Sequence, residues 1–323
     1  MEFLSTPLLG QPAGLWLAFI TIVVVLLALD LGVLHRGERV IGVRESLLLS
    51  AGYISVALMF GAWVWWYLGA QSGMDYYTGF MIEKSLSMDN VFVIALIFSY
   101  FAIPRLYQHR VLFWGIIGVI VLRAIMIALG AALVTQFSWI LYVFGGFLVL
   151  TGIKMLWVGD SKPELDRNPL LNFIKRHCRV TPRLHGERFF VRLPDPKSGK
   201  VVTWLTPLFL ALALIEIADL IFAVDSVPAI FAITTDPFTV YTSNIFAILG
   251  LRALYFALAA MIHRFHYLKY ALALILVFVG GKIFTVNLIG KIPAELSLAV
   301  TFGLLLAGIA YSLWRTRREA KTL

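Results

Sequence analysis

Six carboxylates stand inside long hydrophobic runs: Asp30, Glu83, Asp89, Glu216, Asp219 and Asp225. At the middle of a membrane helix each costs roughly 2.5–3.5 kcal/mol, a cost met where the acid pairs with a cation or coordinates an ion between helices. Their spacing repeats. Glu83 precedes Asp89-Asn90 by six residues, and Asp219 precedes Asp225-Ser226 by six. On an ideal helix six residues leave side chains about 120° apart, whereas seven return to the same face. Glu83 therefore aligns with Asn90 and Asp219 with Ser226, and Glu216 neighbours Asp219 one turn away. All these groups offer oxygen, the donor that hard cations such as manganese(II), magnesium and calcium take. The spans hold no Cys or His, which disfavours copper(I) and zinc.

Five cations accompany the acids: Lys84, Arg123, Lys154, Arg252 and Lys282. Arg123 and Arg252 are expected to balance the midplane carboxylates. Lys84 adjoins Glu83, so a local ion pair is one account of both. Lys154 and Lys282 lie near helix ends, where a lysine can reach the headgroups. Pro228 removes the amide bond to the Val224 carbonyl and predicts a break beside Asp225. Such a break would let Asp89 and Asp225 meet as core metal ligands. Asn90, Ser226, Glu216 and Asp219 would complete or neighbour the shell, with Glu83 and Asp30 on the access path.

The elements that carry these residues follow from composition. The chain has 323 residues, 60% hydrophobic and 14% charged, with a mean hydropathy of +0.88. A soluble domain is nearer a quarter charged, so a polytopic all-α membrane protein is expected. The single cysteine, Cys178, excludes an internal disulfide or a thiolate cluster. Nine apolar stretches are long enough to cross a bilayer: 15–34, 46–68, 77–101, 111–134, 137–157, 204–233, 243–262, 267–286 and 294–314. Basic residues crowd alternate loops, which puts the N-terminus outside and the C-terminus in the cytoplasm. The 158–203 loop is then a cytoplasmic basic loop, with a hairpin expected around Asp195 to Gly199.

The chain also repeats itself. LRAIMIALGAA at 122–132 answers LRALYFALAAM at 251–261, and Tyr142, Gly152 and Lys154 answer Tyr270, Gly280 and Lys282. The unit is three spans, about 77–157 and again about 204–286. An odd-numbered unit must enter the membrane the opposite way the second time, an inverted-topology repeat of the kind found in secondary transporters. Spans 15–34, 46–68 and 294–314 lie outside it, within one transmembrane transporter domain.

MIEKSLSMDNVFV (81–93) and LIEIADLIFAVDSVPAIFA (214–232) resemble the two signature motifs of the TerC family of integral membrane proteins, and LALDLGVLHR (27–36) resembles its first-span motif. The likeness covers nearly the whole chain and is nearest the Alx-type branch. It implies a bacterial inner-membrane exporter of divalent metal, with manganese(II) as transported substrate and no bound cofactor. The metal ion and the lipid bilayer are the expected partners; nucleic acid is not, and the sequence sets no oligomeric state. Oxygen donors do not separate manganese from calcium or magnesium, so that choice rests on the resemblance. No nucleotide-binding motif appears. Other readings stay open: export of calcium, an oxyanion or an amino acid; a membrane assembly factor or sensor; and an intramembrane aspartyl protease, although its YD and GxGD motifs are absent. The charge bias makes a direct prediction. A reporter fused at Leu323 reads as cytoplasmic and one at Met1 as external; both on one side would remove the inverted repeat.

Overall fold

The computed structural model describes residues 6–34, 43–137, 139–157, 169–194, 200–258, 268–289 and 292–322. Eleven helices and two small antiparallel ribbons make up the described chain. The helices are α1 (Ala13–Leu34), α2 (Val43–Leu68), α3 (Ala70–Tyr100), α4 (Arg105–Gln136), α5 (Ile140–Trp157), α6 (Pro169–His177), α7 (Pro207–Phe231), α8 (Pro237–Leu249), α9 (Leu251–Leu258), α10 (Leu268–Ile289) and α11 (Ala294–Thr322). Ribbon β1 (Pro7–Leu8) with β2 (Gln11–Pro12) precedes α1. Ribbon β3 (Phe190–Pro194) with β4 (Val201–Leu205) flanks the expected hairpin, whose tip at 195–199 lies outside the described residues.

Five of the described helices are long and apolar enough to cross a membrane: Arg44–Leu68, Arg105–Gln136, Ile140–Trp157, Pro207–Phe231 and Ala294–Thr316. Large side chains face outward along the bundle, including Trp66, Leu150 and Trp157. Trp66 and Trp157 fall at helix ends, where amphipathic rings favour the membrane–water boundary.

Two expectations about helix ends are corrected. The span at 204–233 is not interrupted beside Asp225, because α7 runs unbroken through Pro228 to Phe231. A proline one turn from a helix end removes a single bond. Here Val227, Ala229, Ile230 and Phe231 are all buried and hold the last turn. The break falls instead in the next span. Helix α8 begins at Pro237, inside the stretch read as a loop, because the Asp236 carboxylate accepts from the Thr239 amide at 2.9 Å and Pro237 supplies the first turn. It stops at Leu249, and α9 resumes past Gly250.

Helix α3 runs through the middle of the bundle, packing on α2, α7, α8 and α11. Helix α5 lies along α10 at a close crossing. A Cβ on Gly152 would come within 2.6 Å of the Ala273 carbonyl oxygen, and one on Gly280 within 2.6 Å of the Gly145 carbonyl oxygen. In the sequence correspondence Gly152 answers Gly280 and Gly145 answers Ala273, so the two contacts join matched positions. Backbones this close leave no room for a side chain. Gly152→Ala or Gly280→Ala should each destabilise the protein by about 1–3 kcal/mol. Gly281→Ala should hold or slightly raise stability, because nothing lies within 4 Å of its Cβ position and alanine is the better helix former. Thermal melting of the purified variants measures the difference.

Candidate functional site

Where α3, α4, α7 and α8 meet, polar side chains displace the apolar core. The side chain of Arg123 on α4 is 1% exposed. Its Nε and Nη2 donate to the two oxygens of Asp219 on α7, both at 3.1 Å. Its Nη1 meets Glu83 Oε1 on α3 at 2.8 Å, Ser226 Oγ at 2.7 Å and Asn244 Oδ1 on α8 at 3.4 Å. Asn244 returns a bond, donating from Nδ2 to Glu83 Oε2 at 3.0 Å. Asn90 on α3 donates from Nδ2 to Asp219 Oδ1 at 3.2 Å. The result is a closed network of charge-assisted bonds around a forked cation.

Helix geometry explains the membership. Both α3 and α7 stay regular, so residues seven apart share a face. Glu83 and Asn90 therefore approach the cluster together, as do Asp219 and Ser226. Glu83, expected on the access path, lies within the network in this structure. Its side chain is 1% exposed and sits at the centre of the network. Nor do Glu83 and Lys84 share a local ion pair in the described structure. Lys84 donates from Nζ to the Ala247 carbonyl at 3.0 Å. In a continuous helix that carbonyl would accept from the amide of residue 251. The lysine serves the last turn of α8 where the helix breaks.

Asp30, Asp89, Asp225 and Arg252 are placed by their helices alone, and their side chains lie outside the described residues. The expected meeting of Asp89 with Asp225 therefore falls outside the description, as does a pairing of Arg252. Lys154 is exposed in the last turn of α5. Lys282 is part-buried and donates to Ser297 Oγ on α11 at 3.4 Å. Among the described residues, no three His, Cys, Asp or Glu side chains converge as a ready metal site.

Two oxygens in this region have no hydrogen-bond partner among the described residues. One is Asn90 Oδ1, the other end of the amide that serves Asp219. The second is Glu216 Oε2 on α7. The Glu216 carboxylate occupies space left by Gly118 on α4, where a Cβ would collide with Oε1. Asn244 is the member that motif reading missed. Its signal was the polar triplet Thr242-Ser243-Asn244 at the head of an apolar run, all three buried.

A bundle of apolar helices around a buried ionic core, with no large soluble domain among the described residues, is an integral membrane protein. The chain belongs to the TerC family of integral membrane proteins, whose family model matches residues 68–320. It is 49% identical over 311 residues to an "Uncharacterized membrane protein" of Myxococcus xanthus, covering 96% of this chain and 95% of the relative. It is 50% identical over 300 residues to another of that description from Rickettsia bellii, covering 93% and 97%. It is 44% identical over 330 residues to the "Putative membrane-bound redox modulator Alx" of Escherichia coli K12, covering 99% of each chain. No solved structure gives a significant match.

The network carries a stability prediction. Arg123→Ala strands two buried carboxylates and should cost about 3–5 kcal/mol, seen as a lower melting temperature of purified protein. Adding Glu83→Gln and Asp219→Asn to that variant removes both stranded charges and should recover most of the loss.

Proposed function

We infer that this chain is a secondary transporter that exports a divalent metal cation, manganese(II), from the cytosol by alternating access. The observation that carries the reading is the charge of the hydrogen-bonded network among the described residues. Two carboxylates from different halves of the chain, Glu83 and Asp219, share one guanidinium. Acids held this deep in an apolar bundle mark an ion path. Asp89 and Asp225, each beside a member of the network in sequence, are the ligands we assign to the metal's path near the midplane. The donors are oxygens, suited to a hard divalent ion. The choice of manganese over calcium or magnesium comes from the family resemblance.

The packing supports a two-fold relation between 77–157 and 204–286. Helix α3 packs on α8 as α7 packs on α4, and the α5–α10 crossing repeats its glycine–carbonyl contact. Nine spans in a bacterial plasma membrane, six of them forming an inverted repeat of two three-span units and the N-terminus outside, account for both. The name redox modulator borne by relatives finds no thiol pair here, since Cys178 is the sole cysteine.

Purified protein in proteoliposomes tests the function. Manganese flux is expected from wild type. Asp89→Asn and Asp225→Asn should each abolish flux with the protein still inserted, because the change removes charge and little volume. Full flux in either variant would sink the assignment.

A further inference from the structure

We propose that Arg123 is a displaceable internal cation: it holds the oxygens of a divalent-cation site in the empty protein and yields them by moving one helical turn to Glu216. The proposal rests on the transport reading and adds to it the identity of a ligand cage and of the switch that opens it.

The first argument is the donor set. Five oxygens surround the guanidinium: Glu83 Oε1, both Asp219 oxygens, Ser226 Oγ and Asn244 Oδ1. Asn90 Oδ1, buried and without a donor among the described residues, is a sixth in the same cluster. Six oxygens are what a hard divalent ion takes. Three helices supply them, and the residue that fills the space comes from a fourth. An amide oxygen left without a donor in a buried polar cluster is costly for folding alone, and it has a purpose once a cation arrives.

The second argument is charge. With Arg123 in place, Glu83 and Asp219 face one positive charge. A divalent ion in its stead matches both carboxylates, whereas a monovalent ion would leave the same imbalance. The cage therefore favours a divalent over a monovalent cation by neutralisation as well as by donor count. Two cations do not share it, because each would lie within a few ångströms of the other in a medium of low dielectric constant.

The third argument is a destination. A guanidinium released inside the bundle needs a new acid. Glu216 lies one turn before Asp219 on α7, and its Oε2 has no donor among the described residues. Helices α4 and α7 run side by side in the same sense. Gly118 lies against Glu216, Arg123 against Asp219 and Gly130 against Phe231. Gly118 leaves the Glu216 carboxylate seated against the backbone of the arginine's own helix. A shift of one turn, roughly 5.4 Å, is within reach of a side chain that long. It pairs the arginine without moving either helix.

The experiment is an equilibrium titration of manganese(II) into purified protein in lipid nanodiscs, with free manganese read by electron paramagnetic resonance. Arg123→Gln removes the competitor and should tighten binding at least tenfold while flux falls. Glu216→Gln removes the destination and should weaken binding about tenfold in the wild-type background. Added to Arg123→Gln it should change nothing further, because there is no arginine left to receive. Asn244→Ala, a neutral change that deletes one donor, should weaken binding about tenfold. Where Arg123→Gln is not recovered folded, Arg123→Lys keeps the charge, loses the fork and should tighten binding several-fold. Equal or weaker affinity in a folded Arg123 variant overturns the proposal, as does unchanged affinity in Asn244→Ala. Additive loss in the Glu216→Gln double variant makes Glu216 a metal ligand and overturns the switch. Wild-type protein that neither binds nor moves manganese takes down the transport reading itself. Wild-type flux with an unaltered Arg123 variant takes down the switch alone.

Discussion

The fork of Arg123 is the constraint around which the rest of this protein is arranged. An isolated guanidinium in an apolar bundle is prohibitively costly, and so is an isolated carboxylate. Set against each other with each of the three guanidinium nitrogens placed on an oxygen, they become tolerable. Glu83, Asp219, Ser226 and Asn244 supply those oxygens from α3, α7 and α8, while the arginine comes from α4. Four helices thus have their relative rotation fixed by one planar group. A lysine could not do this, since its ammonium lacks the bidentate geometry that grips Asp219.

The apolar packing works to the same end by different means. Lipid offers no hydrophobic driving force between helices, so association depends on close contact and on polar links. At the α5–α10 crossing the contact is backbone on backbone, made by Gly145, Gly152 and Gly280. On α3 the polar links are made by neighbours: Glu83 reaches Arg123 and Asn244, while Lys84 reaches the carbonyl of Ala247. One dipeptide therefore holds α8 twice, within two turns of its break at Gly250. Helix α8 is where the bundle gives up a continuous backbone ladder, and it is also where Asn244 joins the ionic core. A broken helix beside a polar cluster is the arrangement by which transporter folds put backbone and side-chain oxygens at mid-depth.

What was legible in the sequence was mostly a matter of cost and period. Acids in apolar runs are expensive, so Glu83, Asp219 and Arg123 stood out before any fold was known. The seven-residue period put Asn90 with Glu83 and Ser226 with Asp219, and the helices keep that register. The capping signal Asp236-Pro237 was present too, though read as part of a loop. Proline misled. Pro228 was expected to break its helix, and the packed turn around it keeps α7 intact, while Gly250 ends α8 with no proline near.

Composition and hydrophobic period alone determined that this is a helical membrane protein and which residues are too polar to face lipid. Those properties are local: each is a transfer cost or a spacing along one helix. Tertiary structure alone decided the partnerships. That one arginine serves an acid from each half, that Lys84 turns from its neighbour Glu83 to a carbonyl 163 residues on, and that Asn244 closes the network all depend on which helices touch and at what rotation. Sequence fixes the angle of a residue around its own helix. Only the packing of the other helices decides what that angle faces.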